Sequence, residues 1–195
     1  MQLEFSDVKT SYAGPFSGSF VGPGVMGLVG RSGCGKSTLL KCLSDLIPHD
    51  GQVAFDGVEQ TSKSGDQWRS MVRYLHSDVV WWENSVIDHF PDRDRRDLSG
   101  QLELLGLAPD ILDQPVSSLS TGEGKRLGLV RALQGDPPVL LLDEPASNLD
   151  SGSQEMVTRM IRNLRDRLVV VISHEHAWLE QSTDTILNLD AFLSH

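Results

Sequence analysis

The sequence predicts an α/β fold, a parallel sheet covered by helices, and three observations carry that prediction. An apolar run, VMGLV, leads directly into the glycine-rich stretch GRSGCGKSTLL at 30–40, and a helical pattern follows. From 139 onward the chain alternates VLLLD (strand), QEMVTRMIRNLRDR (helix) and LVVVIS (strand), then a short helix and the strand DTILNL. Alternation of this kind builds parallel sheets with helices on their faces. The 195 residues, 39% hydrophobic and 23% charged, have the composition of one ordinary globular unit.

Taken in order, the first third reads as short strands, LEFSDV, GSFVG, VMGLVG and QVAFDG, parted by glycine and proline turns. A helix is predicted from Lys36 to Ile47, ended by Pro48. From Asp92 to Gly106 the polar run DRDRRD gives way to LSGQLELLGL, which suggests a helix with a charged, solvated start. A further helix is expected from about Thr121 to Gln134, where GDPP stops it. Repeats, low-complexity tracts and long linkers are lacking, so residues 1–195 are expected to form a single domain.

The net charge of −10 argues against nucleic acid as a partner, because an acidic surface is repelled by phosphates and no basic run offsets it. The longest apolar runs, VLLL and LVVVI, are far short of the roughly 20 residues that span a bilayer. The first residues, MQLEFSDVKTSY, lack the pattern of a signal peptide, and a cytoplasmic location is expected. Cys34 and Cys42 lie in the loop and in the helix after it, too far apart for a disulfide, and reduced thiols fit that compartment.

The glycine-rich stretch fits the phosphate-loop pattern G-x-x-x-x-G-K-[ST]. Gly30, Gly33 and Gly35 would let backbone N–H groups converge on phosphate oxygens, and the helix starting at Lys36 adds its positive end. The whole loop, Gly30, Arg31, Ser32, Gly33, Cys34, Gly35, Lys36, Ser37 and Thr38, is therefore read as nucleotide-binding. Lys36 would reach the β- and γ-phosphates, and the Ser37 hydroxyl would ligate Mg²⁺. A second constellation, VLLLDEP at 139–145, ends a buried strand in two acids, which is costly unless a cation receives them. Asp143 would hold Mg²⁺ through water, and Glu144 is placed to polarise an attacking water as general base.

Between these lies SSLSTGEGKRLGLVRAL, residues 117–133. Here the chain resembles the ATP-binding cassette (ABC) ATPases, whose signature reads L-S-G-G-Q before a helix ending R-A-L. Leu119, Ser120, Gly122 and RLGLVRAL match, whereas Thr121 replaces a glycine and Glu123 the glutamine. The resemblance implies that Ser120, Thr121, Gly122 and Glu123 cover the γ-phosphate held by a second copy in a head-to-tail dimer. It also implies that SNLD at 147–150 touches that partner, that His174 contacts the γ-phosphate and attacking water, and that adenine stacks on Tyr12. Phe16 and Phe20 are close by, and any of these rings could be core.

One motif departs from the family. Where a glutamine is usual, the chain reads RYLHSDVVWWENSV, so either Ser77 or Asp78 takes its place. Chemistry favours Asp78 as an oxygen ligand for Mg²⁺, and spacing gives Ser77 a competing claim. Trp81 and Trp82 follow, readable either as core or as a surface pocket for a partner helix. The resemblance implies an ABC nucleotide-binding domain with an antiparallel β flank and a small helical subdomain inserted at about 79–118. It implies Mg²⁺-dependent ATP hydrolysis that drives a transporter whose membrane-spanning permease subunits are separate chains, the membrane being reached only through them. A non-transport or regulatory ATPase acting on a soluble partner is the alternative.

Overall fold

A computed structural model describes residues 1–90 and 95–193. Its centre is a five-stranded sheet of β3 (Gly24–Val29), β6 (Val72–Leu75), β7 (Val139–Asp143), β8 (Leu168–Ile172) and β9 (Thr185–Asn188). The order is β6-β7-β8-β3-β9 and every pairing is parallel. Every residue of β7 and β8 is buried, as continuous apolar runs require when helices cover both faces.

Alternate residues of these strands feed two separate cores. Leu140, Leu142, Val169 and Val171 face one side, where they pack with α3 (Arg95–Leu104), α4 (Thr121–Ala132) and α5 (Ser151–Arg162). Val139, Leu141, Leu168, Val170 and Ile172 face the other, against α1 (Lys36–Leu43), α2 (Gly65–Met71) and a second sheet. That sheet joins β1 (Gln2–Lys9), β2 (Phe16–Val21), β4 (Asp50–Phe55) and β5 (Val58–Glu59) in the order β2-β1-β4-β5, all antiparallel. A short helix α6 (His176–Ser182) links β8 to β9.

Some boundaries differ from the sequence reading. Helix α1 stops at Leu43 rather than Ile47: Asp45 turns left-handed with φ 57°, and the amides of Asp45 and Leu46 donate to Cys42 O and Lys41 O. This is a Schellman ending with aspartate in the position usually held by glycine. Helix α2 and strand β6 were not foreseen. Ser64 caps α2 in a reciprocal box with Gln67, and Trp68 is fully buried with its indole N–H on Leu43 O. The charged run expected at the start of α3 falls at 92–97, whose side chains lie outside the described residues.

Candidate functional site

The C-terminal ends of β3, β7 and β8 open on one side of the parallel sheet, where ligands of open α/β sheets bind. After β3 the loop 30–35 turns back through Gly33 and Gly35 at φ 74° and 103°, a region that side chains rarely adopt. A Cβ on Gly35 would also come within 3.0 Å of Ala13 Cβ and Phe16 Cζ, so the loop lies tightly on the 10–16 turn. Lys36, buried, donates from Nζ to Gly30 O at 2.9 Å and Arg31 O at 3.2 Å. Its ammonium thus already faces the inside of the loop that α1 follows.

A cavity of about 320 Å³ is lined by Ser32, Gly33, Gly35, Lys36, Ser37 and Thr38 of this loop and by Ser77, Asp143, Glu144 and His174. Phosphate loop, both acids and the histidine therefore converge. Asp143 ends β7, is buried, and its Oδ2 accepts the Tyr74 hydroxyl at 2.7 Å. Burial, together with that bond and the Asp143 charge, raises the Tyr74 pKa. Glu144 leaves the strand at φ 53°, a left-handed geometry costing roughly 1–2 kcal/mol for a non-glycine residue. Its amide donates to Ile172 O at 2.9 Å, which ties the turn to β8. Burial pushes the Glu144 carboxyl up, opposed chiefly by His174, whose Nε2 lies 3.5 Å from Oε1. That Oε1 is buried without a hydrogen-bond partner among the described residues, as suits a carboxylate kept available for a ligand or water.

Ser37 and Asp143 fit a hard cation, since both present oxygen to the same cavity as the phosphate loop. Among the described residues no group of three or more His, Cys, Asp or Glu could hold a metal. Two protein oxygens would leave the rest of a cation's shell to water and substrate oxygens.

The expectation that placed Asp78 beside the metal needs correcting. Strand β6 ends at Leu75, and beyond it the His76 ring accepts the Asp78 amide at 2.9 Å, closing a turn. Ser77 is left lining the phosphate cavity, while Asp78 lines a different cavity with Trp81, Ser120, Thr121 and Lys125. The register is that of the spacing argument rather than the chemical one.

The segment 120–123 stands apart from the phosphate loop. Ser120 caps α4: its hydroxyl accepts from Glu123 N at 3.2 Å, while Glu123 Oε2 accepts from Ser120 N at 2.9 Å and from the Ser120 hydroxyl at 2.7 Å. Hydrogen bonds from Ser120 hold the Glu123 carboxyl below its ordinary value. Within one chain, Glu123 is thus a helix cap whose charge occupies the N-terminus that the sequence reading gave to phosphate. Thr121 and Gly122 form the first turn of the same helix.

The aromatic alternatives divide cleanly. Phe16 and Phe20 are core, whereas Tyr12 is 73% exposed beside Ala13, which abuts the phosphate loop. Trp81 packs on the helical core, and Trp82 is 67% exposed. The Arg131 guanidinium lies 4.5 Å and 4.8 Å from the two indole centroids. Three contributors escaped the sequence reading: Tyr74, Lys125 and Ser173, whose hydroxyl lies against the Glu144 carboxyl. Each acts across the sheet or between elements, with no local motif to mark it.

Comparisons with known proteins agree with this geometry. A family model described as "ABC transporter" matches residues 17–147. The "Probable iron export ATP-binding protein FetA" of Escherichia coli K12 is 33% identical over 177 residues, covering 86% of this chain and 76% of the relative. The "Molybdenum import ATP-binding protein ModC" of Rhodobacter capsulatus is 34% identical over 192 residues, covering 87% of this chain and 50% of the relative. The chain thus spans half the length of the latter, as it does of the methionine import protein MetN of Brucella abortus strain 2308, at 50%. A bacterial Atm1-family ABC exporter, solved with ATP bound, superimposes on all of this chain and 38% of its own, with TM-score 0.84 and 22% identity, which shows the shared fold. On the phosphate loop, the paired acids and these likenesses together, the chain belongs to the ABC transporter family, as one of its ATP-binding ATPase cassettes.

Proposed function

We propose that this cassette hydrolyses ATP with Mg²⁺ to drive transport through separate membrane-spanning subunits. The carrying observation is the convergence of Lys36, Ser37, Asp143, Glu144 and His174 on one cavity. Backbone N–H groups of the loop and the Lys36 ammonium would hold the β- and γ-phosphates, exchanging bonds now made to Gly30 O and Arg31 O. Ser37 and Asp143 would hold Mg²⁺, which neutralises phosphate charge when bound. Glu144 would take a proton from the attacking water at its unpartnered Oε1, and His174, 3.5 Å away, would orient that water and the γ-phosphate. Tyr12 offers the free ring for adenine.

Among the described residues, 120–123 do not line the phosphate cavity, which supports a head-to-tail dimer in which they cover the partner's nucleotide. Assembly would displace the Glu123 cap from the helix N-terminus or tolerate it there. Among the described residues no helix is long and apolar enough to cross a membrane, so membrane contact in this reading comes through another chain. A cavity of about 350 Å³ beside β6 is rimmed by the exposed Leu46, Val80 and Trp82, with Arg73 and Arg131 in its wall. Burial and the charge of Arg73 lower Arg131 to about 10. Such an apolar rim suits a helix of the membrane subunit, with the cassette on the cytoplasmic face. The test is phosphate release by the purified chain with ATP, with and without a chelator. Hydrolysis abolished by chelation supports the reading; binding of ATP without metal-dependent turnover contradicts it.

A further inference from the structure

Helix α4 carries a lysine where lysine is seldom found. Lys125 is 9% exposed, and a buried ammonium needs partners for its three donors. It finds two on one residue: Nζ donates to Ser147 O at 2.7 Å and to Ser147 Oγ at 2.6 Å. The Ser147 hydroxyl in turn donates a hydrogen bond to Glu144 O at 3.0 Å, and the Ser147 amide donates to the same carbonyl at 3.2 Å. Glu144 is the residue held left-handed at φ 53°, a conformation that persists only where its surroundings enforce it. Burial lowers the Lys125 pKa, and the carboxylates of Asp78 and Glu144 oppose that shift. Asp78 faces the lysine across a cavity of about 240 Å³ that also includes Ser120 and Gly124.

We propose that Lys125 is a positioning residue for hydrolysis: through Ser147 it fixes the turn that holds Glu144, and so links the base to the placement of the signature helix, with Asp78 as its counter-charge. A shift of α4, such as assembly against a second copy would bring, acts on Glu144 without touching nucleotide. The chain of contact runs Lys125, Ser147, Glu144, and reaches the acid at its backbone carbonyl. Asp78 thereby acquires a role different from metal ligation. Its carboxylate shares a cavity with the ammonium at the junction of the post-β6 turn and α4 and favours its charged form.

The proposal rests on the ATPase reading, and its test separates the two. Turnover rate, ATP affinity by titration and thermal midpoint are measured for the wild-type chain and for Lys125→Met, Lys125→Arg, Ser147→Ala and the double variant Lys125→Met/Ser147→Ala. Wild type is expected to turn over. Lys125→Met and Ser147→Ala should each lose about 10-fold or more in kcat, since small misplacement of a catalytic group is costly, with ATP affinity unchanged. The double variant should be no slower than the worse single, because both changes cut one link. Lys125→Arg, which keeps cation and donors, should recover most of the rate. If Lys125→Met fails to fold, Ser147→Ala and Lys125→Arg carry the test. Wild-type kcat in Lys125→Met or Ser147→Ala, multiplicative losses in the double variant, or ATP affinity falling in step with kcat would overturn the proposal. A wild-type chain that binds ATP but never hydrolyses it overturns the ATPase reading itself.

Discussion

The phosphate cavity and the signature segment bind the same kind of group in the family reading, yet the structure treats them oppositely. Around the loop 30–38, elements distant in sequence converge on one cavity, and the buried Glu144 Oε1 beside it has no hydrogen-bond partner among the described residues. At 120–123 the polar groups are spent on each other, Ser120 and Glu123 closing a reciprocal cap. A parallel sheet can gather loops from several strands at one edge, whereas a lone helix N-terminus must satisfy itself or await a partner. On the dimer proposed above, one half of the site is finished by folding and the other half would be finished by assembly.

The sharpest way to break this contrast is at the base. Glu144→Gln should lower turnover about 100-fold or more, the scale of a general base, while ATP still binds. Equal turnover would remove Glu144 from the reaction. Lys36→Ala should weaken ATP by about 30-fold or more, as expected when a buried charge partner is truncated, in single chains as much as in assemblies. Titration at concentrations low enough to keep the chain monomeric checks this, and unchanged affinity there would mean that folding alone does not finish the phosphate half.

The two cysteines sharpen the contrast with a smaller effect. Cys42 is buried in α1 and desolvation lifts its thiol to about 11, so it stays protonated through neutral pH and should resist alkylation. Cys34 is half-buried in the phosphate loop and should react, with ATP slowing the reaction. Mass spectrometry of the alkylated chain with and without ATP reads both. Modification of Cys42 before Cys34, or no protection by ATP, would count against this placement of the nucleotide.

What the sequence disclosed was whatever a local pattern encodes. The strands β7 and β8 announce themselves as unbroken apolar runs, and the phosphate loop by its glycines, of which Gly33 and Gly35 adopt positive φ. Helix α2 was overlooked although Ser64-x-x-Gln67 is a capping-box spelling, and Ser120-x-x-Glu123 is the same spelling read instead as an anion site. The register of the turn after β6 could not be read locally, because His76 decides it by taking the Asp78 amide and leaving Ser77 toward the cavity. Nor could the contacts of Lys125 with Ser147 or Tyr74 with Asp143, which depend on packing between elements 22 and 69 residues apart.

The central claim, that the signature segment works only against a second copy, is tested most directly by light scattering of Glu144→Gln with and without ATP. The account predicts that ATP doubles the mass and that adding Ser120→Arg returns it to monomer while ATP stays bound. A chain that remains monomeric with ATP bound, or a dimer indifferent to arginine at position 120, would contradict it.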